Sequence, residues 1–462
     1  MTGRYSKGTA PRDPRVDEAI AVWMDRLQHA ANRDALIATF AEEFSERGVA
    51  YKDHAACAVV RPRFVSATQL NDLSRSSGLI LSAINKVERA IADDQATLLS
   101  ELGPFGPLEK RLLDLPIKLL RTDVSVRLDA TATESGWGFF EVNGAIPGGL
   151  EITHDLTQMF QSSDIFKDFA GAVDARGFDL KGAVVGSLLS AFREWGGQTP
   201  TPTVALVDFI EGAPLVGEFE TFSRWMEAAG CRCILAEPRE LEIAGGRLCA
   251  KGEPVDVVYR RLTIMEMLED LDEAQALLTA AEQQLALIID PFFASVLDRK
   301  ALFALLTDPR FDFGFTAQEQ AAVAQSIPYT RIVEDRETAL PHGETGGLLD
   351  WCRRERESLV LKPNHDFGGR GISLGWKLTE SEWDGALQDA LQHGLVVQTA
   401  IHPAMEAFPP LDDPLSPVTY EMSTDPFMFS GRLEGILCRL SGSGVSNVTS
   451  GGSIVPTFVL HG

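Results

Sequence analysis

The run Leu359-Val360-Leu361-Lys362-Pro363-Asn364-His365-Asp366-Phe367-Gly368-Gly369-Arg370-Gly371 delivers a lysine from an apolar strand straight into a glycine-rich turn. Glycines let backbone N–H groups approach anionic oxygens, and a lysine at the strand end adds a compact positive charge beside them. That is the build of a clamp for nucleotide phosphates, although the same pattern alone also suits a tight turn after a buried strand. Far upstream, Arg127-x-Asp129 and Glu141-x-Asn143 have the spacing expected of a magnesium site. On a strand, residues two apart share a face, so each pair points the same way. Magnesium takes oxygen ligands from a few carboxylates or amides and completes its shell with water and phosphate. The competing reading is the charged surface of a β-hairpin.

Both sets need strands to hold them. Val124 to Asp129 and Trp137 to Asn143 read as two strands joined by a polar turn at Glu134-Ser135-Gly136. Leu359 to Leu361 is an apolar run that ends at Lys362, where a charge needs a polar partner. Ahead of the hairpin, Asp17 to about Glu101 carries apolar residues at helical spacing. Beyond it, Thr203 to Asp208, Cys231 to Leu235 and Val255 to Arg261 read as strands alternating with helices, which predicts an open α/β layer. Met265 to Leu287 reads as one long helical stretch, and Asp298-Arg299-Lys300 opens another helix. Tyr259-Arg260-Arg261 ends a strand of that layer, where ligands commonly bind, and suits either a substrate carboxylate or a solvated strand end.

At 462 residues and 45% hydrophobic content the chain buries a large core, and two or three domains are expected. The formal charge of −24 disfavours nucleic acid or an anionic membrane surface as the main partner but permits a local basic cleft. Six scattered cysteines form no disulfide framework, and Cys231-x-Cys233 reads as two same-face residues of one strand. The N-terminus has no signal-type apolar core, and no run is long enough to span a bilayer. A cytoplasmic protein with reduced thiols is expected.

Taken in order, Arg127-x-Asp129, Glu141-x-Asn143 with Pro147-Gly148-Gly149 behind it, Lys300, Lys362-Pro363 with its glycine loop, Val397-Gln398, Arg439, Asn447-Val448 and Gly451-Gly452 resemble the circularly permuted ATP-grasp family. The glutathionylspermidine synthase-like branch is the nearest match, over roughly residues 120 to 462. The resemblance implies an α+β or α/β chain with a circularly permuted ATP-grasp fold, an open α/β layer and a mainly helical N-terminal region. It divides the sequence into a helical region (1–120), a metal-binding hairpin part (121–199), an α/β substrate-side domain (200–295), a lysine and glycine-loop part (296–400) and C-terminal strands completing the core (401–462).

Carried over, it implies that Asp129, Glu141 and Asn143 hold Mg2+, with Arg127 and Arg439 on the transferred phosphate. Lys300 and Lys362 would contact the α- and β-phosphates of ATP, Gly368, Gly369 and Gly371 would close over them, and the strand holding Val397 and Gln398 would meet the adenine. An acidic residue more often follows that glutamine; here it is Thr399. The implied reaction joins small-molecule carboxylate and amine substrates through an acyl phosphate. Phosphoryl transfer needs positioning and charge neutralisation more than a protein nucleophile, and no Gly-x-Ser-x-Gly or cysteine-histidine arrangement competes. A phosphotransferase on a small molecule and a silent scaffold are the alternatives. A bifunctional synthetase/amidase is not expected, since the sequence reads without a cysteine-histidine hydrolase segment ahead of the ligase portion.

Overall fold

A computed structural model describes residues 13–47, 50–51, 54–119, 124–145, 147–210, 216–341, 343–365, 370–442 and 452–461. The protein is a mixed α+β chain built on several sheets.

The sheet that carries the hairpin runs Ala404–Phe408, Val418–Met422, Arg432–Ser441, Asp425–Phe429, Val126–Thr133, Gly136–Asn143, with Ser453–Val455 also against Arg432–Ser441. Phe427 pairs with Arg127, so strands from opposite ends of the sequence meet beside the Arg-x-Asp pair. Its core face takes Leu128, Ala130 and Phe139, and the helix Ala67–Asp93 packs across it. That helix forms because Leu73, Ile80, Leu81, Ile84, Val87 and Ile91 recur on one stripe, and a Ser66/Gln69 capping box satisfies its first N–H groups.

The N-terminal region is not only helical. Arg63–Ser66 is a buried strand that pairs in parallel with Thr457–Leu460, Phe64 opposite Phe458, and Ala175–Arg176 lies on the other side. Four residues of alternating Arg, Phe, Val and Ser give little periodicity to read, which is why helical spacing dominates that part of the sequence.

The α/β layer is fully parallel, in the order Leu287–Ile289, Val257–Arg260, Val204–Val207, Cys233–Ala236. Two expectations are corrected here. The stretch 265–287 breaks after Glu269, where Asp270 leaves helical geometry at φ −137°, into helices Ile264–Glu269 and Gln275–Gln283; the second ends at Gln284, whose φ of 52° is left-handed, and the β-branched pair Ile288-Ile289 then enters an edge strand. Cys231 stands ahead of the strand, since Gly230 at φ 81° turns the chain after the preceding helix, so only Cys233 lies in it.

A third sheet holds the lysine strand: Thr330–Ile332, Val396–Thr399, Leu359–Lys362, Ser373–Leu374, all antiparallel. Leu359, Leu361 and Val397 point into a core with Trp351, Trp383 and Leu387, which turns Lys362 and Gln398 to the opposite face.

Candidate functional site

The hairpin register places Arg127 opposite Asn143 and Asp129 opposite Glu141, so all four side chains share one face. A bulge follows at Asp129/Ala130, where Ala130 N–H donates to Asp425 Oδ1 at 3.0 Å. Bulges re-aim a side chain, and this one sits at a carboxylate that three side chains share. Asp129 Oδ1 accepts from Arg127 Nε at 2.7 Å and from Asn143 Nδ2 at 3.0 Å, while its Oδ2 takes Arg439 Nη2 at 2.6 Å. Arg439 also reaches Asp425 Oδ2 at 2.9 Å, and Arg127 Nη1 donates to the Gly148 carbonyl at 2.6 Å. Acid and base thus alternate from Asp425 through Arg439 and Asp129 to Arg127.

Burial pushes the Asp129 carboxyl up, but Arg127 and Arg439 outweigh it and hold the group at about 2. Asp425, equally buried, is pushed up to about 6 by desolvation despite Arg439. Of two carboxylates beside one guanidinium, the one with two arginines bonded to it keeps the lower pKa.

Both lysines close on this face from other segments. Lys300, on the turn before the helix Leu302–Thr307, lies 3.5 Å from Glu141 Oε1. Lys362 Nζ donates to Gln398 Oε1 at 2.7 Å and to the Phe140 carbonyl, next to Glu141, at 3.4 Å. Burial lowers its pKa to about 8, with Glu141 opposing and Lys300 reinforcing the shift. Arg127, Arg439, Lys300 and Lys362 therefore face Asp129, Glu141 and Asp425: a cationic excess in a chain of formal charge −24, as an anion site requires.

Arg127, Asp129, Glu141, Asn143, Lys300, Lys362 and Arg439 come together in space. Gly371 follows on the lysine strand's turn at φ 66°, and a Cβ there would meet Pro363 Cγ at 2.7 Å. Gly368, Gly369, Asn447, Val448 and Gly451 lie outside the described residues. Val397 and Gln398, expected on the strand that meets the adenine, lie on Val396–Thr399. Their strand lies between two others, Val397 faces the core, and Gln398 spends its amide on Lys362 and on Thr330 Oγ1 at 3.0 Å. Gln398 acts here as the polar partner that Lys362 needs. Arg260 and Arg261 are not solvated strand ends: Arg260 donates to the Asp290 carbonyl at 2.8 Å, and Arg261 pairs with Glu218 at 3.3 Å.

Among the described residues no three of His, Cys, Asp and Glu converge as a metal shell. The expected set has two carboxylates and one amide, and its donor chemistry fits magnesium, whose remaining ligands are waters and phosphate oxygens. Asn143 directs its nitrogen to Asp129, so its amide oxygen points away from that carboxylate. Asp129 would have to yield one oxygen from its arginines.

Three supporting residues have only weak sequence signals. Asp425 holds Arg439 and the bulge, and follows Ser423-Thr424 without a motif of its own. Asp298, two residues before Lys300, accepts from Gly144 and Ala145 N–H at 2.8 and 3.1 Å, and burial raises its pKa to about 7. Glu218 accepts from Gly149 N–H at 3.0 Å, fixing the turn whose Gly148 carbonyl receives Arg127.

No family model matches this sequence, and no curated protein matches it. Among solved structures, the chain is similar to a glutathione synthetase-like effector from Globodera pallida in its apo form, with a TM-score of 0.56 and 12% identity over 97% of this chain and 98% of that one. A protein from Methylobacillus flagellatus, named provisionally as a γ-glutamylcysteine synthetase, aligns with a TM-score of 0.40 and 12% identity over 83% and 85%. The first likeness, spanning nearly all of both chains, shows a glutathione synthetase-like fold; the second is too low to add to it.

Proposed function

We propose that this protein is an ATP- and Mg2+-dependent ligase that joins a carboxylate to an amine through an acyl phosphate. The observation that carries the reading is the convergence of Arg127, Arg439, Lys300 and Lys362, from four separate segments, over the carboxylate-bearing face of the hairpin. Burying several cations on one face costs desolvation that an anion bound there would repay.

In this reading Lys300 and Lys362 neutralise the α- and β-phosphates, and Arg127 and Arg439 orient and stabilise the γ-phosphoryl group as charge spreads over its oxygens. Asp129, Glu141 and Asn143 would hold magnesium, which supplies further charge neutralisation when bound. A substrate carboxylate oxygen attacks the γ-phosphorus and ADP leaves. The amine nitrogen then attacks the acyl carbon, phosphate departs, and one proton is released. Glu218 and Asp298 keep the 144–149 segment, and with it Arg127, in register. The chain order, hairpin first and lysine strands later, supports a circularly permuted ATP-grasp arrangement of the glutathionylspermidine synthase-like branch. The five-part division stated from the sequence is proposed with it. Fold likeness does not name the acid or the amine.

The test is an ADP-release screen of purified protein against a panel of carboxylates, each alone and with amines. Turnover that needs both partners and yields an amide supports the ligase. A stable phosphorylated product without amide identifies a phosphotransferase instead, and absence of Mg-ATP binding by folded protein refutes the nucleotide site.

A further inference from the structure

Lys300 and Lys362 reach the same face from segments sixty residues apart in sequence, and their separation must be fixed for both to meet one polyphosphate. One residue ties the two segments. Asn364, two positions beyond Lys362, accepts from Lys300 N–H through its main-chain carbonyl at 2.9 Å and from Ala301 N–H through Oδ1 at 2.9 Å. Its Nδ2 donates to the Leu102 carbonyl at 2.6 Å. At 7% exposure these bonds are shielded from water. Asparagine alone at this length offers an acceptor and a donor together: aspartate has no donor, and serine falls short of both.

The opposite side of the contact is shaped to receive it. Gly103 has φ 89°, and a Cβ there would meet Asn364 Nδ2 at 2.6 Å. Next to Lys300, Arg299 donates to the Pro104 carbonyl at 2.8 Å, pairs with Glu109 at 2.6 Å, and lies 3.7 Å above the Phe105 ring. Residues 102–109 thus bracket the Lys300 turn from a part of the sequence that carries none of the phosphate-binding motifs.

We infer that Asn364 is a positioning residue that sets the spacing of Lys300 and Lys362, with residues 102–109 as its outer anchor. The inference rests on the Mg-ATP reading above. Removing the asparagine side chain leaves the Lys300 main-chain bond intact but frees the Ala301 N–H, so the turn loses its second point of attachment and Lys300 its fixed direction.

The experiment is calorimetric titration of the full-length protein with Mg-ATP, for wild type, Asn364→Ala, Gly103→Ala, Lys300→Ala and the Asn364→Ala/Lys300→Ala double variant, with folding checked by circular dichroism. Each of the first two substitutions is expected to raise the dissociation constant about fivefold to tenfold, the worth of a shielded hydrogen bond. In the Lys300→Ala background, Asn364→Ala should cost nothing further, because it acts through that lysine. Unchanged affinity in folded Asn364→Ala, or full additivity with Lys300→Ala, overturns the positioning role alone. Should Asn364→Ala fail to fold, Gly103→Ala, alone and combined with Lys300→Ala, carries the same comparison. Wild type that binds no Mg-ATP overturns the nucleotide reading, and this inference with it.

Discussion

Lys362 is the residue whose burial should be most visible in solution, and replacing it with methionine is the informative perturbation. The residue is 8% exposed, and burial takes its pKa from an ordinary 10.5 to about 8. At about 1.4 kcal/mol per tenfold, that fall means about 3 kcal/mol of destabilisation carried by the folded protein at neutral pH. Lys362→Met removes this burden but leaves the Gln398 oxygen, now bonded to Nζ at 2.7 Å, without its donor, which costs about 1–3 kcal/mol. At pH 7 the variant should therefore lie between parity and about 2 kcal/mol more stable than wild type, while losing Mg-ATP binding. The pH dependence separates the two terms. Below pH 8 folded and unfolded chains both hold the proton and the penalty is full. Between about 8 and 10.5 the unfolded chain binds more protons, so wild-type stability rises with pH relative to the variant; above 10.5 both are neutral and the penalty is gone. Urea unfolding of both proteins from pH 7 to 10.5 measures the difference. Parallel curves would refute the claim that Lys362 is a buried, destabilised cation. A second readout needs no variant: polyphosphate should restore the proton, so Mg-ATP binding at pH 8 is expected to take up about half a proton, seen as a buffer-dependent enthalpy.

Asp129→Ala should leave the guanidinium groups of Arg127 and Arg439, bonded to it at 2.7 and 2.6 Å, buried without that partner, and lower unfolding free energy by about 3–5 kcal/mol in urea titration while abolishing turnover. Asp298, raised by burial from 3.8 to about 7, keeps its proton when folded while the unfolded chain loses it; stability is thus full below pH 3.8 for this group and falls as pH rises to about 7. Asp298→Asn, which retains an oxygen for the Gly144 and Ala145 N–H groups, should flatten that fall in thermal melts. Gly371→Ala places a Cβ on a residue at φ 66° and against Pro363, so a loss of about 1–2 kcal/mol and weakened ATP binding are expected from melting and titration together.

That Arg127 shares a face with Asp129, and Glu141 with Asn143, was legible in the sequence because strand alternation is twofold; that the two pairs face the same way was not, because it depends on the bulge at Asp129/Ala130, which shifts the register set by the turn. Lys362 was legible for the same reason, as the polar end of an apolar run. What escaped depends on long-range pairing. The strand Arg63–Ser66 has its partner almost four hundred residues on, and the place of Val396–Thr399 in the middle of its sheet is decided by Thr330–Ile332, which carries no strand signal beyond three residues. The same limit hid Asp425, whose role exists only because Phe427 pairs with Arg127.

The way the site is buried also bears on how it works. Asp129 is held by two arginines, and Lys362 donates to a neutral glutamine oxygen; each cation is thus satisfied by a partner that is weaker than, or shared compared with, a phosphate oxygen. On the proposed Mg-ATP reading, an incoming polyphosphate need not create order, since the donors already converge; it would exchange their present partners for better ones. This argues that binding specificity resides in the distances between donors rather than in any single charge. Substitutions that move a donor without altering the charge of the site, such as those at Asn364, should then weaken nucleotide binding, whereas charge-neutral changes on the exposed surface of the hairpin turn at Glu134 and Ser135 should leave it untouched.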